Sequence, residues 1–224
     1  MAGQTTPEIV AAVSNAGGLG ILGAARMTPE QLLIAIKKIK TIATKPYGVN
    51  LWLESLERNN QNTVHVQQFL DQEFRTPLGI PLKSVSRRVG NNNEHGGTND
   101  LPPPSKMSEQ LQIILEENVP IVSFAMGDPV KYIDQIHSKG AKVMSMVTTV
   151  EDAISVVRNG SDIVMAQGAE AGGHRSIFNT ALDDENIPLI GTMALVPPIV
   201  DALKKEIKDK LVPVVGDPPP PEVE

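Results

Sequence analysis

The residues Met165 to His174, MAQGAEAGGH, carry the side chains of this chain best suited to chemistry. An apolar run ends, Gln167 follows, and the pair Gly172–Gly173 leads directly into His174. An amide at a strand end offers a donor and an acceptor together. Glycines tolerate positive φ and let backbone N–H groups come close to a ligand. An imidazole takes and releases a proton near neutral pH. Residue types alone leave two readings open: a ligand site with a proton-transfer group, or a turn bearing a surface histidine. Glu170, in the same stretch, reads as a solvated turn residue. Asn50 closes the run PYGVN. A polar amide in an apolar strand needs partners, so it satisfies neighbouring groups or holds a ligand.

Other candidates are weaker. His137 falls in the last turn of an expected helix, where it complements the helix dipole. His65 and His95 lie in polar connections, and no histidine pair has the spacing of a metal site, so no metal is expected. The chain has no cysteine, which excludes disulfides and thiolate chemistry. In AGGLGILG the glycine pair follows a helix and opens a strand. That is a helix stop and tight turn, the reverse of a dinucleotide fingerprint.

The elements that must position these residues alternate between helix and strand. Thr6-Pro7-Glu8 and Thr28-Pro29-Glu30 both begin helices: a hydroxyl cap, a proline in the first turn, then an acid near the positive dipole end. Strands are expected at Leu19–Gly23, Pro46–Leu53, VPIVSFAMG, AKVMSMVTT, SDIVMAQG and VPVVG, giving six. Helices are expected over MSEQLQIILEEN with Ser108 as cap, DPVKYIDQIHSKG, VEDAISVVRNG and LVPPIVDALKKEIKDKL. Buried strands joined by helices imply a parallel sheet covered by helices. An open doubly wound sheet and a (β/α)8 barrel both satisfy that pattern. Residues 54–106 form a polar insertion with a short helix expected around Val66–Gln72, and residues 217–224 form a proline-rich acidic tail.

Bulk properties agree with a globular protein. Of 224 residues, 41% are hydrophobic and 21% charged, enough to build a substantial core. Aromatics supply only 3%, so that core rests on aliphatic side chains and methionine. A net charge of −6 argues against a nucleic-acid surface. No apolar run reaches the ~18 residues of a membrane span, and the N-terminal residues lack secretory-signal features. The expectation is a soluble cytoplasmic protein.

Taken together, MAGQTTPEIVAAVSNAGGLGILGA, KPYGVNLWL, MAQGAEAGGH and GTMALVPPIVDAL resemble the nitronate monooxygenase (2-nitropropane dioxygenase) family over Met1 to about Gly216. The resemblance implies a TIM-type (β/α)8 barrel binding non-covalent FMN at the carboxyl ends of its strands. It implies oxidation of alkyl nitronates or nitroalkanes by O2 to a carbonyl compound and nitrite. His174 matches the family's base or substrate-positioning group. Ala2, Gly3, Asn50, Gln167, Gly172 and Gly173 match its flavin-site positions. A related flavin barrel reductase of the enoyl reductase kind, and a catalytically inactive family member, are the alternatives.

Against the family pattern, this chain reads as an incomplete barrel. Relatives place a strand before the segment matching Met1, and a Gly-Gly turn, further helices and a last strand after VPVVG. The flavin phosphate is expected among those later loops. Unpaired edges are expected at the LGILG and VPVVG strands, and they invite self-association.

Overall fold

The computed structural model describes residues 4–53, 68–80, 107–176 and 188–206, and the backbone of 214–216. Ala2, Gly3, His65, His95 and the tail at 217–224 lie outside the described residues. The chain forms two compact units: Met1–Glu54 with Leu101–Glu224, and Ser55–Asp100.

In the larger unit the first turns follow from their capping residues. Helix α1 (Pro7–Asn15) is capped by Thr6, whose side chain accepts the Ile9 N–H. It stops at Gly17, which takes a φ of 96°. Strand β1 (Ile21–Gly23) follows. Helix α2 (Pro29–Ile42) opens with a full capping box between Thr28 and Gln31. Strand β2 (Gly48–Trp52), helix α3 (Met107–Glu116), strand β3 (Ile121–Ala125), helix α4 (Ile133–His137) and strand β4 (Lys142–Val147) continue the alternation. Helix α5 (Val150–Arg158), strand β5 (Ile163–Ala166), helix α6 (Thr192–Glu206) and strand β6 (Val214–Gly216) complete it.

The six strands form one parallel sheet in the order β1-β2-β3-β4-β5-β6. A doubly wound sheet reverses its order at a switch point, whereas a barrel wall adds each strand beside the last. The sequential order selects the barrel-type winding over the open alternative. A complete barrel of this kind has eight strands. Among the described strands, β1 and β6 each pair on one side only.

Alternation within the strands assigns the faces. Leu22, Val49, Leu51, Val122, Phe124 and Val143 belong to one buried apolar cluster with side chains of α1 to α4. Val147, Val164 and Ala166 belong to a second with α5 and α6. The intervening residues point to the other face, where Asn50, Trp52, Met146 and Met165 are only half-buried. Gln110 ties α3 to the turn after β1: its Nε2 donates to Ala24 O at 2.7 Å and Met27 O at 3.0 Å.

Three helices depart from expectation. Ser108 does not cap α3, because the helix already includes Met107, whose side chain is buried in the core. Helix α4 is confined to Ile133–His137, preceded by a turn in which Tyr132 N donates to Pro129 O. Helix α6 begins at Thr192 and carries Pro197 and Pro198 inside it. Prolines remove two N–H donors there, and Met193 and Ala194, the residues four positions earlier, are exposed, so water can take the place of those donors.

In the smaller unit, residues 68–70 are helical and a π-helical turn spans Asp71–Arg75. The expected helix around Val66–Gln72 thus runs further than anticipated, and its residues 66–67 lie outside the described set. Thr76 donates both its N–H and its hydroxyl to Asp71 O, which sets the wide turn.

Candidate active site

The carboxyl ends of β2 to β5 and the loop Gln167–Ser176 meet in one place. Gln167 follows β5 directly and is 3% exposed. Its Oε1 accepts the Ser176 N–H at 2.8 Å, and its Nε2 donates to His174 O at 2.9 Å. One amide therefore fastens both ends of the tripeptide His174–Ser176 to the strand end. Ser176 is fully buried, with its Oγ donating to Met146 O at 3.2 Å and accepting the Met126 N–H at 2.9 Å.

His174 itself is exposed, and its ring rests against Trp52 at the end of β2, with centroids 4.7 Å apart and planes at 55°. Asn50 lies two residues before Trp52 on the same strand face and donates through Nδ2 to Ser123 Oγ at 3.1 Å. That bond supplies the neighbour a strand amide requires, and Asn50 stays half-exposed. Gly172 and Gly173 are both exposed. Gly173 takes a φ of 90°, and no heavy atom stands within 4 Å of where a Cβ would be.

Two charged residues brace the loop from beneath. Arg175 donates through Nη2 to Pro188 O at 2.7 Å, and its Nη1 lies 3.5 Å from Gln167 O. Burial draws its guanidinium below the usual range while the Glu170 charge counteracts it. Glu170 is exposed, yet it is more than a solvated turn residue. Its Oε1 accepts the Thr192 N–H at 2.8 Å, so it caps α6. Hydrogen bonds from its own N–H and from Thr192 hold its carboxyl below the usual carboxylate range.

His174, Gln167, Asn50, Gly172 and Gly173 thus gather at one rim, together with Trp52, which residue types alone did not single out. Ser176 was missed as well. It is a small polar residue in an irregular segment, and no spacing marks it. Among the described residues no group of three or more His, Asp or Glu could hold a metal ion, and no helix is long and apolar enough to cross a membrane. His137 lies far along the chain from this loop, at the end of α4, where its Nε2 bonds to Asp162 Oδ2 at 2.7 Å.

A planar cofactor at this rim would meet both apolar and polar groups. The rim presents open backbone at Gly173, half-buried Trp52, Met146 and Met165 as apolar wall, and an amide at Asn50. The sequence profile of the nitronate monooxygenase family matches residues 1–216. A probable nitronate monooxygenase of Staphylococcus haemolyticus is 38% identical over 207 residues, covering 90% of this chain and 52% of that protein. Its counterpart in Staphylococcus saprophyticus is 35% identical over 205 residues, covering 91% and 53%. This chain thus spans about half the length of those relatives.

Solved structures agree on the fold. Nitroalkane oxidase from Streptomyces ansochromogenes superimposes with a TM-score of 0.73 at 28% identity, covering 96% of this chain and 56% of that one. FabK from Thermotoga maritima does so with 0.61 at 27%, covering 96% and 48%. On the evidence of profile, relatives and fold, the chain belongs to the nitronate monooxygenase family.

Proposed function

We propose that this protein oxidises alkyl nitronates or nitroalkanes with O2, giving a carbonyl compound and nitrite, with FMN as cofactor. The observation that carries the reading is the placement of His174. Its ring lies on Trp52 at the strand ends, while its backbone is clamped by Gln167. Family membership and the likeness to nitroalkane oxidase support the reaction class.

Asn50, the backbone of Gly172 and Gly173, and the Ala2–Gly3 segment would hold the flavin ring, with Gln167 shaping the loop that closes on it. The flavin phosphate would need loops of the kind that follow the last two strands of such barrels. When bound, the flavin supplies the redox centre. The protein's own share is acid–base and positional. A ring nitrogen of His174 takes the α-proton of a neutral nitroalkane, leaving the anionic nitronate. For substrate that arrives already as nitronate, His174 orients the anion instead. Trp52 limits the imidazole's freedom from one side, which narrows the orientations from which it can reach the substrate.

On this reading residues 1–216 form the flavin-binding barrel unit, 54–106 an insertion in it and 217–224 a tail. The single-sided edges of β1 and β6 favour self-association.

FMN-loaded protein should turn over nitroethane and its nitronate. His174→Ala should lower kcat/KM for neutral nitroethane by about 100-fold or more, and for the nitronate much less. Undiminished nitroethane turnover in that variant would remove His174 from the mechanism. A protein whose absorbance shows no flavin after incubation with FMN would sink the cofactor assignment. NAD(P)H oxidation without nitronate turnover would favour the reductase alternative.

A further inference from the structure

Ser176 stands in no helix or strand, yet three strands end on it. Its Oγ bridges Met146 O of β4 and the N–H of Met126, the residue after β3. Its own N–H reaches Gln167 Oε1 at the end of β5. Met126 adopts a φ of 69°, a conformation L residues with side chains seldom take. The bond to Ser176 Oγ gives that turn its partner. From the same amide of Gln167, a second bond holds His174 O. The tripeptide His174–Ser176 is therefore pinned at its first carbonyl and at its last N–H and hydroxyl. Immediately before it, Gly173 is open and conformationally free. The imidazole also rests against the ring of Trp52.

Volume alone would be satisfied by alanine at this position. The hydroxyl does something alanine cannot: it sets the height of the loop against β3 and β4 at once. We infer that Ser176 is a positioning residue for His174, holding the imidazole against Trp52 and at the substrate's α-carbon. This rests on the reading of His174 as the base for neutral nitroalkanes. Misplacing such a base by about 1 Å costs up to about 100-fold in rate. A preformed nitronate needs no proton removed, so its oxidation should be far less sensitive.

The test compares FMN-loaded wild type with Ser176→Ala and the near-isosteric Ser176→Cys, which keeps the volume should the alanine variant fold poorly. In both, kcat/KM for nitroethane should fall about 10- to 100-fold, and for ethyl nitronate by less than about 3-fold. A second readout needs neither flavin nor turnover. Trp52 is the single tryptophan of the chain. Contact with the His174 ring sets the surroundings of Trp52, so His174→Ala should change the emission of the flavin-free protein. The Ser176 variants should reproduce at least about half of that change, because they let the imidazole leave the indole. Parallel loss of both substrates with wild-type Trp52 emission would overturn the inference. His174→Ala, assayed alongside, separates the failures. Selective loss of nitroethane there, with parallel loss in Ser176→Ala, overturns the role of Ser176 alone. No selective loss there overturns the base assignment, and the role of Ser176 with it.

Discussion

Gln167 shows how much one amide can decide. The resemblance places it among flavin-site positions, and the structure gives both ends of its amide internal bonds: Oε1 to Ser176 N–H and Nε2 to His174 O. A buried amide used this way cannot be exchanged for its acid. In Gln167→Glu one carboxylate oxygen would still accept from Ser176, but the other would face the His174 carbonyl, acceptor against acceptor. The neutral acid could donate there, so the folded state favours protonation and raises that carboxyl's pKa. A raised folded-state value contributes stability below the unfolded value, about 4.3, which is lost as pH climbs through the folded one. Gln167→Glu should therefore lose stability, relative to wild type, on going from pH 5 to pH 8. Gln167→Ala should lose about 2–3 kcal/mol at both, having stranded one buried donor and one acceptor. Urea denaturation at the two pH values checks both expectations. An acid variant as stable as wild type at pH 8 would contradict the clamp.

At the scale of elements, local chemistry wrote its instructions openly. Thr6 and Thr28 with their following Pro-Glu pairs announced two helix starts, and both caps form. Gly17, Gly140 and Gly160 announced ends, and all three take positive φ. Helix α6 was harder to place: the run from Leu195 reads as helical, and no capping residue beside it marks an earlier start. In fact the helix starts at Thr192, where a carboxylate from the distant Glu170 provides the cap. The sheet order was also out of reach of periodicity, since alternation predicts parallel strands without saying which lie side by side. The loop clamp escaped for the same reason: Ser176 acquires meaning only once β3, β4 and β5 end together. A further effect of packing on local rules concerns two glycines. Gly17 needs its positive φ, but a Cβ there would meet nothing within 4 Å. Gly20 has no such φ, yet its Cβ would stand 2.0 Å from Val10 O, while its N–H donates to Ser14 Oγ at 3.0 Å. Gly17→Ala should cost about 1 kcal/mol of left-handed strain. Gly20→Ala must push α1 off β1 and should cost about 3 kcal/mol. Denaturation midpoints of the two variants should fall in that order, opposite to a ranking by φ alone.

Across the larger unit, the apolar packing is divided. One cluster holds α1 to α4 with β1 to β3 and Val143, and the other holds α5 and α6 with Val147, Val164 and Ala166. Strand β4 is the seam, contributing Val143 to one and Val147 to the other. Polar groups close the seam at both ends. Ser176 and Gln167 link β3, β4 and β5 at the carboxyl end, beside the proposed chemistry. At the amino end Asp162, 8% exposed, accepts from His137 Nε2 at 2.7 Å, Lys142 Nζ at 3.0 Å and Val143 N at 3.0 Å. Just behind it, the buried Ser145 and Ser161 hydroxyls bond at 2.7 Å. Burial alone would push the Asp162 carboxyl up, but the Val143 N–H, His137 and Lys142 together outweigh it and hold it below the usual range. A depressed folded-state carboxyl stabilises above its unfolded value, about 3.9, and that contribution is lost as pH falls through the folded one. Loss of this carboxylate should loosen α4 and the start of β5 together, because it sits before β5 and accepts from His137 of α4 and from Lys142 and Val143 of β4. Asp162→Ala should cost about 3 kcal/mol at pH 7, the penalty for a buried hydrogen-bonded charge and the donors it leaves behind. The variant's stability should also fall less steeply than wild type between about pH 5 and pH 2. Thermal unfolding across that range measures both. If variant and wild type kept parallel pH profiles, Asp162 would not be what closes the amino end of the seam.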